Sequence, residues 1–163
     1  MQTHIEKLTQ RFQQIDRERM QGLPFYNPHL HVEALGFEEL DQAYIGTLIT
    51  PWFINLLFLY KQQPQHAAVV GSKVPHALPS GEYDFMIGED EELGRYDFIS
   101  LASPVGIYKT QQQAEALAMQ KLRNYLTPAG TEQVDEHPLV FIDRKNRSVS
   151  RRGFLSGNTR SEE

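Results

Sequence analysis

The sequence predicts an α+β domain, an antiparallel sheet of four or more strands with two main helices covering one face. Three observations carry that expectation. Residues 3–21 and 110–126 repeat apolar side chains at steps of three and four, the period of one helix face. Four segments between them are short and rich in β-branched and aromatic residues. Their connections are brief and turn-like, as between hairpin strands.

The elements follow in chain order. In residues 3–21, Ile5, Leu8, Phe12, Ile15 and Met20 form the apolar face. Thr3 with Glu6 has capping-box spacing, and Gly22 with Pro24 ends the helix. Residues 23–30 carry two prolines and two aromatics and predict an ordered loop. Residues 31–40 and 43–50 predict two strands joined through 39–42. Val32 and Ala34 alternate with polar neighbours in the first; Tyr44, Ile45, Leu48 and Ile49 give the second its bulk.

Pro51 closes that strand, because proline is excluded from a strand interior, and it can equally open a helix at its first position. Residues 51–62 therefore predict a short, very apolar helix ended before Pro64, with an apolar strand as the alternative. Residues 65–79 read as extended, and Pro79-Ser80-Gly81 as a turn. Residues 82–88 and 95–103 predict an antiparallel pair joined by the acidic loop 89–94. Tyr83, Phe85 and Ile87 alternate with Glu82, Asp84 and Met86, as in a half-buried strand. In residues 110–126, Ala114, Leu117, Ala118, Leu122 and Leu126 recur at helical spacing, and Pro128 and Gly130 stop the helix. Beyond residue 131 only 138–142 predicts structure. The expected organisation is one α+β domain over 1–143 and a basic, mobile C-terminal tail over 144–163.

Composition narrows the function classes. At 163 residues the chain suits one domain with a real core. It has no cysteine, which excludes disulfides, thiolate metal sites and thiol catalysis and fits a reducing compartment. The start lacks a basic region followed by an apolar one, so no signal peptide is expected. The longest apolar run, 52–60, is far below the roughly 20 residues of a membrane span. A cytoplasmic location without membrane insertion is the expectation. The formal net charge of -5 is uneven: residues 144–160 hold six basic residues and no acidic one. The rest, without Glu162 and Glu163, has 10 basic against 19 acidic residues. An acidic body disfavours nucleic acid and suits a basic ligand.

Catalytic and metal motifs are sparse. His29 and His31 are two apart, and one carboxylate could complete a site with them, but scattered histidines of this kind more often face solvent. No metal or cofactor is expected. Glycine-rich phosphate loops and a nucleophile elbow are missing. Asp84, Asp97 and the run 89–92 could supply acid–base pairs, which keeps a small hydrolase as a minor alternative. An acidic hairpin tip is more commonly just solvated.

Two segments are less ordinary. Residues 52–60, Trp-Phe-Ile-Asn-Leu-Leu-Phe-Leu-Tyr, are apolar on every side. Such a run is either core on both faces or one wall of a hydrophobic groove. Residues 150–155, Ser-Arg-Arg-Gly-Phe-Leu, match the core of the twin-arginine export signal, yet lie at the wrong end and precede no apolar stretch.

The chain resembles the HybE family of hydrogenase assembly proteins in several segments. They are Ile49-Thr50-Pro51-Trp52-Phe53-Ile54-Asn55-Leu56-Leu57, Leu78-Pro79-Ser80-Gly81-Glu82-Tyr83-Asp84-Phe85, Ser100-Leu101-Ala102-Ser103-Pro104-Val105 and the tail motif. The loop Leu23-Pro24-Phe25-Tyr26-Asn27-Pro28 resembles the family's start. The resemblance implies a cytoplasmic, non-catalytic chaperone for a nickel–iron hydrogenase. Its expected partners are the small-subunit precursor and its twin-arginine signal peptide, with the large subunit as a second candidate. An accessory subunit of the hydrogenase complex is the runner-up. Some relatives carry a rubredoxin module, which needs four cysteines that this chain lacks.

A receptor for paired arginines followed by an apolar stretch needs carboxylates and a groove. The residues expected to serve are Trp52, Phe53, Leu56 and Leu57 for the groove and Glu82 and Asp84 for the arginines. In the tail, Arg151, Arg152, Phe154 and Leu155 are expected to act as a decoy of the signal.

Overall fold

The computed structural model describes residues 1–65 and 68–128. Helix α1 spans Gln2–Ile15 and runs on into one π-helical stretch, Asp16–Met20. Strands β1 (Glu33–Leu40), β2 (Ala43–Ile49), β3 (Ile54–Tyr60), β4 (Lys73–Leu78), β5 (Gly81–Asp90) and β6 (Gly94–Ala102) precede α2 (Gln111–Leu126). The six strands form one antiparallel sheet in the order β1-β2-β3-β6-β5-β4. The α+β class and the antiparallel sheet agree with the sequence reading. The segment 138–142 and the tail lie outside the described residues.

Residues 51–62 are not a helix. Thr50 turns the chain there: its N–H donates to the Phe53 carbonyl at 2.8 Å, and its Oγ1 accepts from the N–H groups of Trp52 (3.2 Å) and Phe53 (2.9 Å). Pro51 therefore begins a tight turn, and β3 runs back along β2 with Ile54 opposite Ile49.

The helices do not share a face. Opposed residues in an antiparallel sheet point to the same side, so Tyr44, Leu48, Leu57 and Leu59 face one way and Ala43, Ile45, Leu56 and Phe58 the other. Leu8 and Phe12 of α1 pack with the first set, Leu122 of α2 with the second. The expectation of two helices on one face is thus corrected. The physical reason is visible in β2 and β3, which are buried along nearly their whole length on both sides. A strand apolar all round needs a layer above and below it.

Two glycines permit this packing. Gly36, at φ +77°, bulges β1, and a Cβ there would lie 2.6 Å from Leu122. On the other side the ring of Phe37 occupies the place of a side chain on Gly46, 2.4 Å from where its Cβ would be. α2 starts at Thr110, whose hydroxyl caps the Gln113 N–H. At its far end the Tyr125 carbonyl accepts from the Ser80 N–H in the β4–β5 turn. Among the described residues no helix is long and apolar enough to cross a membrane.

Candidate functional site

The antiparallel order brings the end of β2, the starts of β3 and β5 and the end of β6 to one end of the sheet. Loop 23–30 joins them through buried Asn27. Its N–H donates to the Pro51 carbonyl at 2.7 Å, and its Nδ2 donates to the carbonyls of Val105 and Tyr108, each at 2.8 Å. One residue, through its backbone and its side chain, so ties three connections that are far apart in sequence. The four non-tail segments on which the family resemblance rests all converge here.

Trp52 and Phe53 are half-buried at this end. With Phe12 of α1 they form an aromatic trio, with ring centroids 6.4 Å (Phe12–Trp52), 5.9 Å (Phe12–Phe53) and 5.7 Å (Trp52–Phe53) apart. Glu82 and Asp84 lie on the same side of β5 as Met86, which lies opposite Phe98, itself opposite Leu57 on the α1 side. The acidic pair and the aromatic pair therefore share the face that carries α1. β6 lies between β3 and β5, and its pairing with β5 reaches only to Met86, so Glu82 and Asp84 have no partner on β6.

This face is covered on one half only. α1 lies over the β2–β3 side through Leu8 and Phe12. On β4 and β5 the same face presents Lys73, Pro75, Ala77, Glu82, Asp84 and Met86, all exposed. Leu23, Phe25 and Ile107, on the connections that Asn27 ties together, add exposed apolar surface at this end.

The sequence-predicted residues are thus partly brought together. Trp52, Phe53, Glu82 and Asp84 share a face and an end. Leu56 and Leu57 do not join them: both are 0% exposed and they point to opposite sides of the sheet. The groove expected from them is corrected, because a central strand is sealed by α1 on one side and α2 on the other. Arg151, Arg152, Phe154 and Leu155 lie outside the described residues.

The opposite end holds its charges internally. Asp97, fully buried, accepts from the Tyr60 hydroxyl (2.5 Å), His76 Nε2 (2.7 Å) and Arg95 Nε (3.0 Å). Burial pushes its carboxyl group up, but the His76, Arg95 and Tyr60 hydrogen bonds outweigh burial and hold it below the ordinary value. Burial, then the hydrogen bond to Asp97 and its charge, pushes the Tyr60 phenol up. The His76 ring stacks on Phe58 at 3.7 Å. Asp84 is on the other face, so no Asp84–Asp97 acid–base pair is assembled. This network was legible in sequence only as an aspartate interrupting an aromatic strand.

The acidic loop is also partly engaged. Asp90 accepts from Arg11 Nε at 2.9 Å and from the N–H groups of Glu92 and Leu93, while Glu92 takes Arg11 Nη1 at 3.2 Å. Burial acts to raise the Asp90 carboxyl, and the Arg11 and backbone hydrogen bonds hold it below its ordinary value. The loop thus fastens α1 to the β5–β6 hairpin. Among the described residues no three His, Asp or Glu side chains lie close enough to hold a metal ion, His29 and His31 included.

Known proteins resemble this chain along most of its length. Residues 3–157 match the family described as NiFe-hydrogenase assembly, chaperone, HybE. A hydrogenase expression/formation protein, HupT of Azotobacter chroococcum mcd 1, is 44% identical over 64% of this chain and 70% of its own. Protein HoxT of Cupriavidus necator is 33% identical over 97% of this chain and 90% of its own. The solution structure of HybE from Escherichia coli superposes with a TM-score of 0.59 at 23% identity, covering 82% of this chain and 88% of that one. That likeness supports the fold.

Proposed function

Since the chain belongs to the HybE family of nickel–iron hydrogenase assembly chaperones, we propose that it acts in the cytoplasm by holding the small-subunit precursor through its twin-arginine signal peptide. On this reading it delays export until the subunit is mature and performs no turnover of its own. The observation that carries the reading is the pairing, on one half-open face, of Trp52 and Phe53 with Glu82 and Asp84. Guanidinium groups take carboxylates by forked, charge-assisted hydrogen bonds, and the following apolar residues of a signal need an apolar platform.

The tail pattern fits the same reading. Arg151, Arg152, Phe154 and Leu155 present the core of the signal, and they compete with it as a tethered decoy. A flexible tether gives an effective concentration of order millimolar, enough to make weak competition felt.

A pull-down from cells making the hydrogenase, with precursor and mature small subunit resolved, tests the proposal. Enrichment of precursor that falls with Glu82→Lys plus Asp84→Lys is expected. Co-purification of mature, active enzyme alone would replace it with an accessory-subunit role. Capture of the large subunit without the small one would move the client.

A further inference from the structure

A cavity of about 260 Å³ opens at the end of the sheet away from the aromatic and acidic pairs. Its walls are Leu8 of α1, Leu59 at the end of β3, Leu93 in the β5–β6 turn and Tyr96 in β6. Around them stand Thr3, His4, Lys7, Lys61, Gln63 and Arg95. The lining contains basic and neutral side chains and no carboxylate, in a body that is otherwise acidic.

The basic groups differ in how far they are already satisfied. Lys61 Nζ holds Glu39 at 2.9 Å, and Arg95 holds Asp97. Among the described residues Lys7 has no ion-pair partner. His4 makes one hydrogen bond, Nε2 to the Lys61 carbonyl at 3.2 Å, and its ring meets Tyr44 edge-on. Its Nδ1 is buried and has no partner. That nitrogen is closed off from solvent, so the cation of the lining left open to an arriving anion is Lys7.

We propose that this cavity binds a carboxylate carried on a short apolar group, about the size of one aliphatic side chain. The apolar part rests on Leu8, Leu59, Leu93 and Tyr96. The carboxylate lies toward Lys7. The volume is below the ~300–1,000 Å³ of drug-sized sites, which fits a ligand of this size. Either a free metabolite or the terminal residue of a protein chain carries such a group. This site is independent of the signal-peptide reading, from which it is separated by the length of the strands.

Titration of the full chain with 4-methylpentanoate, followed by amide chemical shifts, tests the site. Shifts are expected at Leu8, Leu59 and Tyr96 and not at the Trp52 indole. 4-Methylpentanamide should bind about tenfold more weakly, because it loses the charge-assisted contact. Lys7 is exposed, so Lys7→Glu should fold normally and lose binding, while Lys7→Arg should retain it. A short peptide ending in leucine, free or amidated, separates the sources: binding of the free form alone assigns a chain terminus, and rejection of both with binding of the small acid assigns a metabolite. Equal affinity for acid and amide, shifts confined to the Trp52 end, or no binding at about 10 mM acid, far above millimolar affinity, would overturn the proposal.

Discussion

Where β3 finishes and β6 begins, Asp97 is ringed by Tyr60, His76 and Arg95, and Arg11 is clamped by Asp90 and Glu92. Where β3 begins and β6 finishes, Glu82 and Asp84 are exposed, and no ion-pair partner for either exists among the described residues. The two ends treat their acidic residues differently. At the first, carboxylates accept several hydrogen bonds each and hold α1, β4 and β6 in place. At the second, exposed carboxylates share a face with half-buried aromatic rings, with their hydrogen-bonding capacity open. On the proposed reading, what marks the binding surface is not acidic residues alone but exposed carboxylates without an internal partner on the face that also carries an apolar patch.

The largest effect tests the closed end. Asp97→Ala leaves Arg95, His76 and Tyr60 without their acceptor and should cost about 3–5 kcal/mol in denaturant unfolding, as when one partner of a buried pair is removed. A near-neutral result would mean that the network is not what holds this end. The same carboxyl titrates below an unfolded aspartate, so its stabilisation is full above the unfolded value of about 3.9 and fades as pH falls through the lower folded value. In Asp97→Asn the acid limb of the stability–pH curve should flatten.

The next effect separates core from surface on one strand and its turn. Leu57→Ala, at a fully buried site, should cost about 2–5 kcal/mol. Trp52→Ala and Phe53→Ala, at half-buried sites, should cost less in a thermal melt and more in affinity for a twin-arginine peptide. If both aromatic variants melt as early as Leu57→Ala, the trio is core and the open face is not a platform.

Charge reversal at the open end should be smaller still in stability and selective in binding. Glu82→Lys with Asp84→Lys should leave the melting temperature nearly unchanged, as surface charges usually do, and abolish most peptide binding. Wild-type binding should weaken between low and physiological salt, because exposed pairs are screened. Salt-independent binding would assign the affinity to the aromatic pair alone. The smallest effect concerns the tail. A chain ending at Asn146 should bind the peptide a few-fold more tightly if residues 150–155 compete, by removal of a local competitor. Weaker binding after truncation would make the tail part of the grip instead.

Much of this molecule was determined by the sequence alone. The period of Leu8 and Phe12, the alternation of Tyr83, Phe85 and Ile87, and the stop signals at Gly22 and Pro128 place α1, β5 and α2 within a few residues. These are local properties: a helix face and a strand face differ in period, and the chain records that period. The family, too, was legible in short segments spread along the chain. Three matters were decided only in three dimensions. Residues 54–60 are apolar at every position but Asn55, a pattern without a period, so only pairing with β2 and β6 makes them strand instead of helix. The side on which each helix lies depends on which apolar face remains uncovered once the sheet exists, and no single segment encodes it. The fate of each carboxylate depends on long-range neighbours, as Asp97 meets His76 across 21 residues and Asp90 meets Arg11 across 79. The tertiary fold, by bringing some carboxylates to cations and leaving Glu82 and Asp84 exposed, decides which acids hold the structure together and which face outward.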